Sequence, residues 1–491
     1  MEKLLQIISM GRDGFVTGRR ALWTIFLYCQ GIIFLHTTVL GQEISPGANN
    51  ILYVDIHVNT GASGYTGAGD SWANAVPQLA DALRWARAEY AGGDHGWSSG
   101  NPLRIFVAKG KYLPAYHIDD RFYTTDGGKN NGFVMVRDVQ LYGGFDPAAG
   151  IADLDDARIL PNVASPGLGT VLNGDLSGND SPDNFENHAE NVHHVVVAGG
   201  IVGTGIIDGF TISGGNADET MEDPLAVNGQ FVIASAGGGM YLANSSPSVK
   251  NSLFYRNTGG MSGGAMIFGS ASEPTFTGCT FHSNAAETGA GAGNYTAGPL
   301  FNDCVFSGNT ALSFGGGVAN MQSNSSFTDC RFTGNTADAG GGMSNQGSNP
   351  TITNTTFIEN TARNGGGMFN GGGLITLNGC GFSGNSVEAD GGGLFNGETQ
   401  VFFSKCIFEG NRADQRGGAM RNDRATVTIR QSRIMANNSP QGGGIINESC
   451  PSVLIVNSIV SGNTAQMGGR HDERVGRARC CSQLHIPGQC R

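Results

Sequence analysis

A phenylalanine followed three residues later by an asparagine recurs along this chain at nearly constant intervals. That spacing limits the folds open to it more than any other feature. The pair occurs at Phe254/Asn257, Phe281/Asn284, Phe306/Asn309, Phe332/Asn335, Phe357/Asn360, Phe382/Asn385 and Phe408/Asn411, and two conservative copies follow at Ile434/Asn437 and Val460/Asn463. Successive anchors are separated by 27, 25, 26, 25, 25, 26, 26 and 26 residues. A fixed period of this size marks an array, in which each unit buries its apolar face only by stacking on its neighbours.

Other columns keep step. Five residues before each anchor stands an apolar residue: Val249, Phe276, Phe301, Phe327, Ile352, Leu377, Phe403, Ile429 and Ile455. Side chains alternate along a strand, so an odd spacing cannot keep both apolar columns on one face of an unbroken strand. The residues between them resolve the parity: Asn251, Gly278, Asp303, Asp329, Asn354, Gly379, Lys405, Gln431 and Asn457. Most are types that tolerate a left-handed turn. A third strand begins at the glycine runs Gly237–Met240, Gly263–Met266, Gly315–Val318, Gly340–Met343, Gly365–Met368, Gly391–Leu394, Gly417–Met420 and Gly442–Ile445, with a degenerate copy at Gly291–Asn294. A second asparagine column follows at Asn320, Asn345, Asn370, Asn396, Asn422 and Asn447.

About three short strands per unit, with no helix-length segment, fit a coil stacked parallel on its neighbours. Equivalent residues then lie one strand spacing apart, so nine anchors span roughly 40 Å. Phe stacks on Phe inside, and Asn amides form ladders along the axis. The 79 glycines among 491 residues fit this reading, because they cluster in corners rather than at every third position as collagen requires. The fold class expected is all-β: a parallel β-helix with coils of about 26 residues.

Before residue 237 the pattern is weaker. Ala75 to Tyr90 carries Val76, Leu79, Leu83 and Ala86 at helical spacing, and is the candidate N-terminal cap that a solenoid end needs. Strand-like runs at Arg104–Ala108, Phe133–Val136, Val139–Gly143, His193–Ala198 and Gly209–Ser213 read as irregular early coils, and Asp218–Val227 as a loop.

Tyr53-Val54-Asp55, Ser71-Trp72-Ala73-Asn74-Ala75, Tyr142-Gly143-Gly144-Phe145, Asp208-Gly209-Phe210-Thr211-Ile212 and the GG…F-x-x-N units resemble large secreted bacterial β-helix proteins. The repeats are similar to those of the chlamydial polymorphic outer membrane proteins. The resemblance covers about residues 51–468. It implies a right-handed helix at the cell surface or outside the cell, and it implies no catalytic residues. Those membrane proteins end in a translocating β-barrel, whereas only 22 residues follow Gly469 here.

Arg19 and Arg20 precede the apolar run Ala21 to Leu40, and Val39-Leu40-Gly41 offers small residues before Gln42. Residues 1–41 therefore read as a cleaved signal peptide or a retained anchor, the only membrane attachment expected. The organisation expected is that segment, then the cap and irregular coils over 42–236, regular repeats over 237–469, and a basic tail with Cys480, Cys481 and Cys490 over 470–491. Localisation reads as secreted or cell-surface and outer-membrane associated. Net charge is −12, which argues against nucleic acid as a partner.

Two residues before the anchor stand Cys279, Cys304, Cys330, Cys380 and Cys406, alternating with Ser or Thr. They lack zinc-site spacing and read as stacked, buried thiols. The Asn ladders read as structure, because they repeat in coil after coil. Three residues after the anchor Asn come Glu287, Leu312, Asp338, Arg363, Glu388 and Asp414. Asp338, Arg363, Glu388 and Asp414 would line one edge, as a glycan- or calcium-binding row or as a solvated column of cross-coil ion pairs. Asp55 and Asp70, in a Gly-rich stretch, are a second place where calcium could bind. No cofactor is otherwise expected, and no coil is expected to gather His, Lys and acids. The sequence thus reads as a surface scaffold, adhesive or glycan-binding without catalysis, with a polysaccharide or another cell-surface ligand as partner. The alternative is a lyase or glycosidase acting on acidic polysaccharide, which rests on fold analogy.

Overall fold

The computed structural model describes residues 43–93, 95–119, 128–181, 184–219, 224–465 and the backbone of 472–473. The expected signal or anchor over 1–41 lies outside the described residues, as does the tail over 470–491 apart from that two-residue strand.

One coil shows how the sequence becomes structure. Ser326–Thr328, Arg331–Thr333, Thr336–Ala339 and Met343–Gln346 are four short strands in chain order. Each pairs parallel with its equivalent one coil on, at Phe327↔Ile352, Phe332↔Phe357, Ala337↔Ala362 and Asn345↔Asn370. Repeating this stacking gives four parallel sheets, of 13, 12, 8 and 12 strands among the described residues, named first to fourth in the order the coil visits them. The coils from Asn216 to Ala413 thus have one strand more than the three expected. The added strand follows the anchor Asn, and its inward residues are small: Ala311, Ala337, Ala362, Val387 and Ala413. No column of large apolar residues announced it.

The parity argument holds. All nine turn residues from Asn251 to Asn457 have φ between +45° and +68°. The turn directs both flanking apolar columns inward, where Phe276, Phe281, Phe301, Phe306, Phe327 and Phe332 are fully buried. Anchor rings stack at 4.5 to 4.7 Å between centroids, with interplanar angles of 3° to 9°. Isolated aromatic pairs prefer offset or edge geometry. Here the strand spacing imposes the near-parallel stack, and burial worth about 1.5–3 kcal/mol per ring outweighs the difference.

Both Asn columns are ladders. Asn335 Nδ2 donates to Asn360 Oδ1 at 2.9 Å and to the Phe306 carbonyl at 2.9 Å, and its backbone N–H donates to the same Asn360 oxygen at 3.0 Å. The second ladder runs from Asn294 through Asn320, Asn345, Asn370, Asn396 and Asn422 to Asn447 at 2.7 to 2.8 Å. The five column cysteines are buried free thiols. Cys304 Sγ donates to the Phe276 carbonyl of the preceding coil at 3.5 Å. The glycine runs form the corners, where backbone rests on backbone. A Cβ on Gly317 would stand 2.5 Å from the Gly342 oxygen.

At the N-terminal end the helix spans Leu79–Gly92 rather than starting at Ala75. Pro77 disfavours a helical residue before it, and Val76 instead pairs parallel with Val54. Leu79, Leu83 and Ala86 pack into the same core as Leu52, Leu103 and Ile105 of the first coils. The early runs are strands at Leu103–Ala108, Phe133–Val134, Val139–Phe145, Val196–Gly199 and Phe210–Ser213, in the same sheets as the regular repeats. Part of the loop expected over Asp218–Val227 is instead one arm of a hairpin, Leu225–Val227 with Gln230–Val232. Val227 and Val232 pack on Val197 and Tyr241, covering the outer side of the fourth sheet there.

Candidate functional site

The row Asp338, Arg363, Glu388 and Asp414 lies on the third sheet. Registers Ala337↔Ala362, Ala362↔Val387 and Val387↔Ala413 put Asp338, Arg363 and Glu388 on consecutive strands and Asp414 just past the end of the next, all exposed. Asp414 pairs with Arg412 of its own coil at 2.9 Å. Among the described residues, no ion pair within 4.0 Å joins Asp338, Arg363 and Glu388, although cross-coil pairing was one of the two expectations. Glu287 and Leu312 continue the row, Leu312 being 76% exposed. Of the other expected pair, Asp55 Oδ1 accepts the His57 backbone N–H at 2.8 Å, and Asp70 Oδ1 accepts from Ser71 Oγ at 3.1 Å. Among the described residues, no group of three or more His, Cys, Asp or Glu is arranged to hold a metal ion.

The irregular coils do gather His, Lys and acids, contrary to the expectation from sequence. Lys111 comes from the strand Gly110–Tyr112, and Asn173 ends the strand Thr170–Asn173. Asn173 Oδ1 accepts the Asp175 N–H at 2.8 Å, which turns the chain into the segment 174–191. Asp175 Oδ1 accepts the Gly178 N–H at 2.6 Å, and its other oxygen stands 3.5 Å from Lys111 Nζ. Asn191 Nδ2 donates to both Asp180 oxygens at 3.2 and 3.0 Å, and His188 Nε2 lies 3.4 Å from Asp180 Oδ2. Burial first, then the neighbouring charges of Asp175 and Glu190, push the Asp180 carboxyl up to about 6. Burial, with Arg256 nearby, holds the His188 imidazole below its usual value. Among the described residues, His188 Nδ1, Glu190 Oε1 and Asn191 Oδ1, all buried, meet no hydrogen-bond partner.

Beside this cluster the outer face of the second sheet steps from small to tall residues. Asn173, Ser213, Tyr255 and His282 stand in register on four consecutive strands. Tyr255 and His282 stack on each other at 5.9 Å and 5°, and His282 Nδ1 lies 2.8 Å from Ser307 Oγ. Over Ser213 and Asn173 opens a groove of about 240 Å³, lined also by Lys111, Thr211 and Tyr255. A larger groove of about 500 Å³ is lined by Asn184, Phe185, Tyr255, Arg256, Ser283 and Thr310. Tyr255 borders both. The Arg256 guanidinium lies 5.5 Å from the Phe185 ring centre and 5.9 Å from that of Tyr255, and donates to the Asn184 carbonyl. Phe185 in turn meets His188 edge-on at 5.3 Å.

Reasoning from sequence missed this site because its residues fall outside the repeating columns. One signal was available: Tyr255 and His282 are consecutive aromatic residues at a position that holds Ser307, Thr333, Ile358, Ser383, Glu409 and Met435 in later coils.

A family model described as right handed beta helix region matches residues 186–357 and 238–394. The matched span takes in Tyr255, Arg256 and His282, together with Asp338, Arg363 and Glu388. With the stacked coils, this defines the class: the chain is a right-handed parallel β-helix repeat protein. No curated protein and no solved structure is significantly similar to it.

Proposed function

We propose that this protein is a secreted or cell-surface scaffold that binds glycan without transforming it, and that the binding site is the pair of grooves on either side of Tyr255. The observation that carries this reading is Tyr255 itself, an aromatic ring bordering both grooves at once. Sugar rings present apolar C–H faces that pack on aromatic faces, and hydroxyls that need convergent hydrogen-bonding groups. Asn173, Ser213, Ser283 and Thr310 supply such groups around the ring. Tyr255, Ser283 and Thr310 flank the ladder residues Asn257, Asn284 and Asn309, and Asn173 and Ser213 end paired strands, so little ordering entropy opposes binding.

The enzymatic alternative, a lyase or glycosidase on acidic polysaccharide, has one observation in its favour. A carboxyl with a raised pKa, Asp180, lies beside the grooves, and such groups mark acid–base sites. The exposed row from Asp338 to Asp414 is proposed as a secondary contact edge on the neighbouring sheet.

The test uses the full chain with a panel of soluble polysaccharides, with and without calcium. Saturable binding that Tyr255→Ala abolishes and Arg363→Ala leaves largely intact supports the groove. Binding lost in Arg363→Ala or Asp338→Ala but kept in Tyr255→Ala moves the site to the exposed row. Release of reducing ends, or ultraviolet absorbance from unsaturated uronate products, that Asp180→Asn removes overturns the non-catalytic reading.

A further inference from the structure

The glycan reading leaves open which glycans the grooves accept, and one residue bears on that. Arg256 occupies a turn position that every coil of the regular array repeats: Arg256, Ser283, Gly308, Gly334, Glu359, Gly384, Gly410, Ala436 and Gly462. All nine have positive φ, and five are glycine, the residue that adopts this conformation without a steric cost. Arg256 holds φ +53°, as Ser283, Glu359 and Ala436 hold +53° to +55° in their coils, so the turn admits a side chain and this coil uses it to carry a large one. Of the nine, Arg256 alone places a cation at this turn.

The surroundings of the guanidinium agree. It lies over the Tyr255 and Phe185 rings on the wall of the larger groove, and one of its nitrogens is fixed on the Asn184 carbonyl. Among the described residues no carboxylate lies within 4.0 Å of it, unlike Arg158, Arg416 and Arg421, which are each paired. A charge held in place by rings and a carbonyl, with its remaining donors unneutralised, is a preorganised anion contact. The smaller groove carries a second cation, Lys111, about half of whose side chain is exposed while it leans on Asp175.

Resting on the glycan reading, we propose that the grooves select glycans bearing anionic groups, a carboxylate or a sulfate ester, with Arg256 as the specificity-determining contact and Lys111 as a second one across Tyr255. The chain carries a net charge of −12, so a polyanion is not drawn in by the protein's overall field. Attraction has to be local, at these two cations.

The experiment measures binding of the full chain to three soluble probes: a uronate oligomer, a sulfated dextran and a neutral β-glucan. The key variant is Arg256→Gly, which installs the residue other coils use and so preserves the fold. Saturable uronate binding that falls at least about tenfold in Arg256→Gly, with thermal stability unchanged or raised, supports the proposal. Partial retention in Arg256→Lys supports it further and separates charge from the planar fork. The uronate and sulfate arms decide which anion fits. Neutral β-glucan bound as tightly as the charged probes, with no loss in Arg256→Gly, overturns the selection for anions and leaves the glycan reading standing. Binding to none of the three overturns both. Charged probes bound equally by wild type and Arg256→Gly, and released by modest salt, reduce the effect to diffuse electrostatics and also overturn it.

Discussion

Replacing Asn360 by alanine tests whether the ladders carry the fold. The Asn360 side chain makes four hydrogen bonds at zero exposure: it accepts from the Asn335 N–H and Nδ2, and donates to Asn385 Oδ1 and the Phe332 carbonyl. The Asn360 backbone N–H still reaches Asn385 Oδ1 after truncation, so that oxygen keeps a donor. Three buried groups lose a partner: the Asn335 N–H, one Asn335 amide hydrogen and the Phe332 carbonyl. Each orphaned group costs roughly 1–3 kcal/mol, which gives about 5 kcal/mol for the variant. The neighbouring exposed Thr361→Ala should change stability by no more than about 0.5 kcal/mol. Guanidinium denaturation followed by circular dichroism gives the global loss. Because long repeat arrays can lose two-state behaviour, hydrogen exchange at the amides of Phe332, Phe357 and Phe382 gives the local one. Asn360→Ala indistinguishable from Thr361→Ala would refute the ladder as a source of stability and leave the Phe stack as its main support.

The remaining predictions concern the charged clusters. Asp180 has a folded-state pKa raised to about 6, so its contribution is fully present below the ordinary carboxylate value and is lost as pH rises through about 6. Protection factors, which are exchange rates corrected for intrinsic base catalysis, at the amides of 174–181 and 184–191 should therefore fall between about pH 4 and 7, and Asp180→Asn should flatten that profile; wild-type protection factors already flat over this range would count against the assignment. Asp390 is 4% exposed and is held by both Arg416, at 3.0 and 2.8 Å, and Arg421, with Glu448 sharing both cations. Asp390→Ala leaves two guanidinium groups facing one carboxylate and should cost about 3 kcal/mol by thermal unfolding, whereas a loss near zero would mean the network is fully solvated.

The period of the Phe and Asn columns was sufficient to read the coil, the parity turn, the inward stack, both ladders and the reduced thiols. Each of these is a local rule repeated many times, and repetition turns weak propensities into a pattern. The extra strand of the coils from Asn216 to Ala413 escaped because Ala337, Ala362 and their equivalents are small, and small residues carry little hydropathic signal. The row from Asp338 to Asp414 was legible as a column, and its register followed from the period. Whether Asp338, Arg363 and Glu388 pair was not, because long exposed side chains choose among many rotamers of similar energy. The grooves lay further out of reach. Lys111, Asp175, His188, Tyr255 and Arg256 come from separate strands and from a segment with no period, and only parallel stacking of the irregular coils brings them together. Sequence alone determined the fold of this protein, because a solenoid core is made of contacts between equivalent residues of neighbouring coils. Tertiary structure alone decided where a ligand could sit, because that site depends on departures from the repeat, and a departure shows its consequence only when its neighbours in space are known.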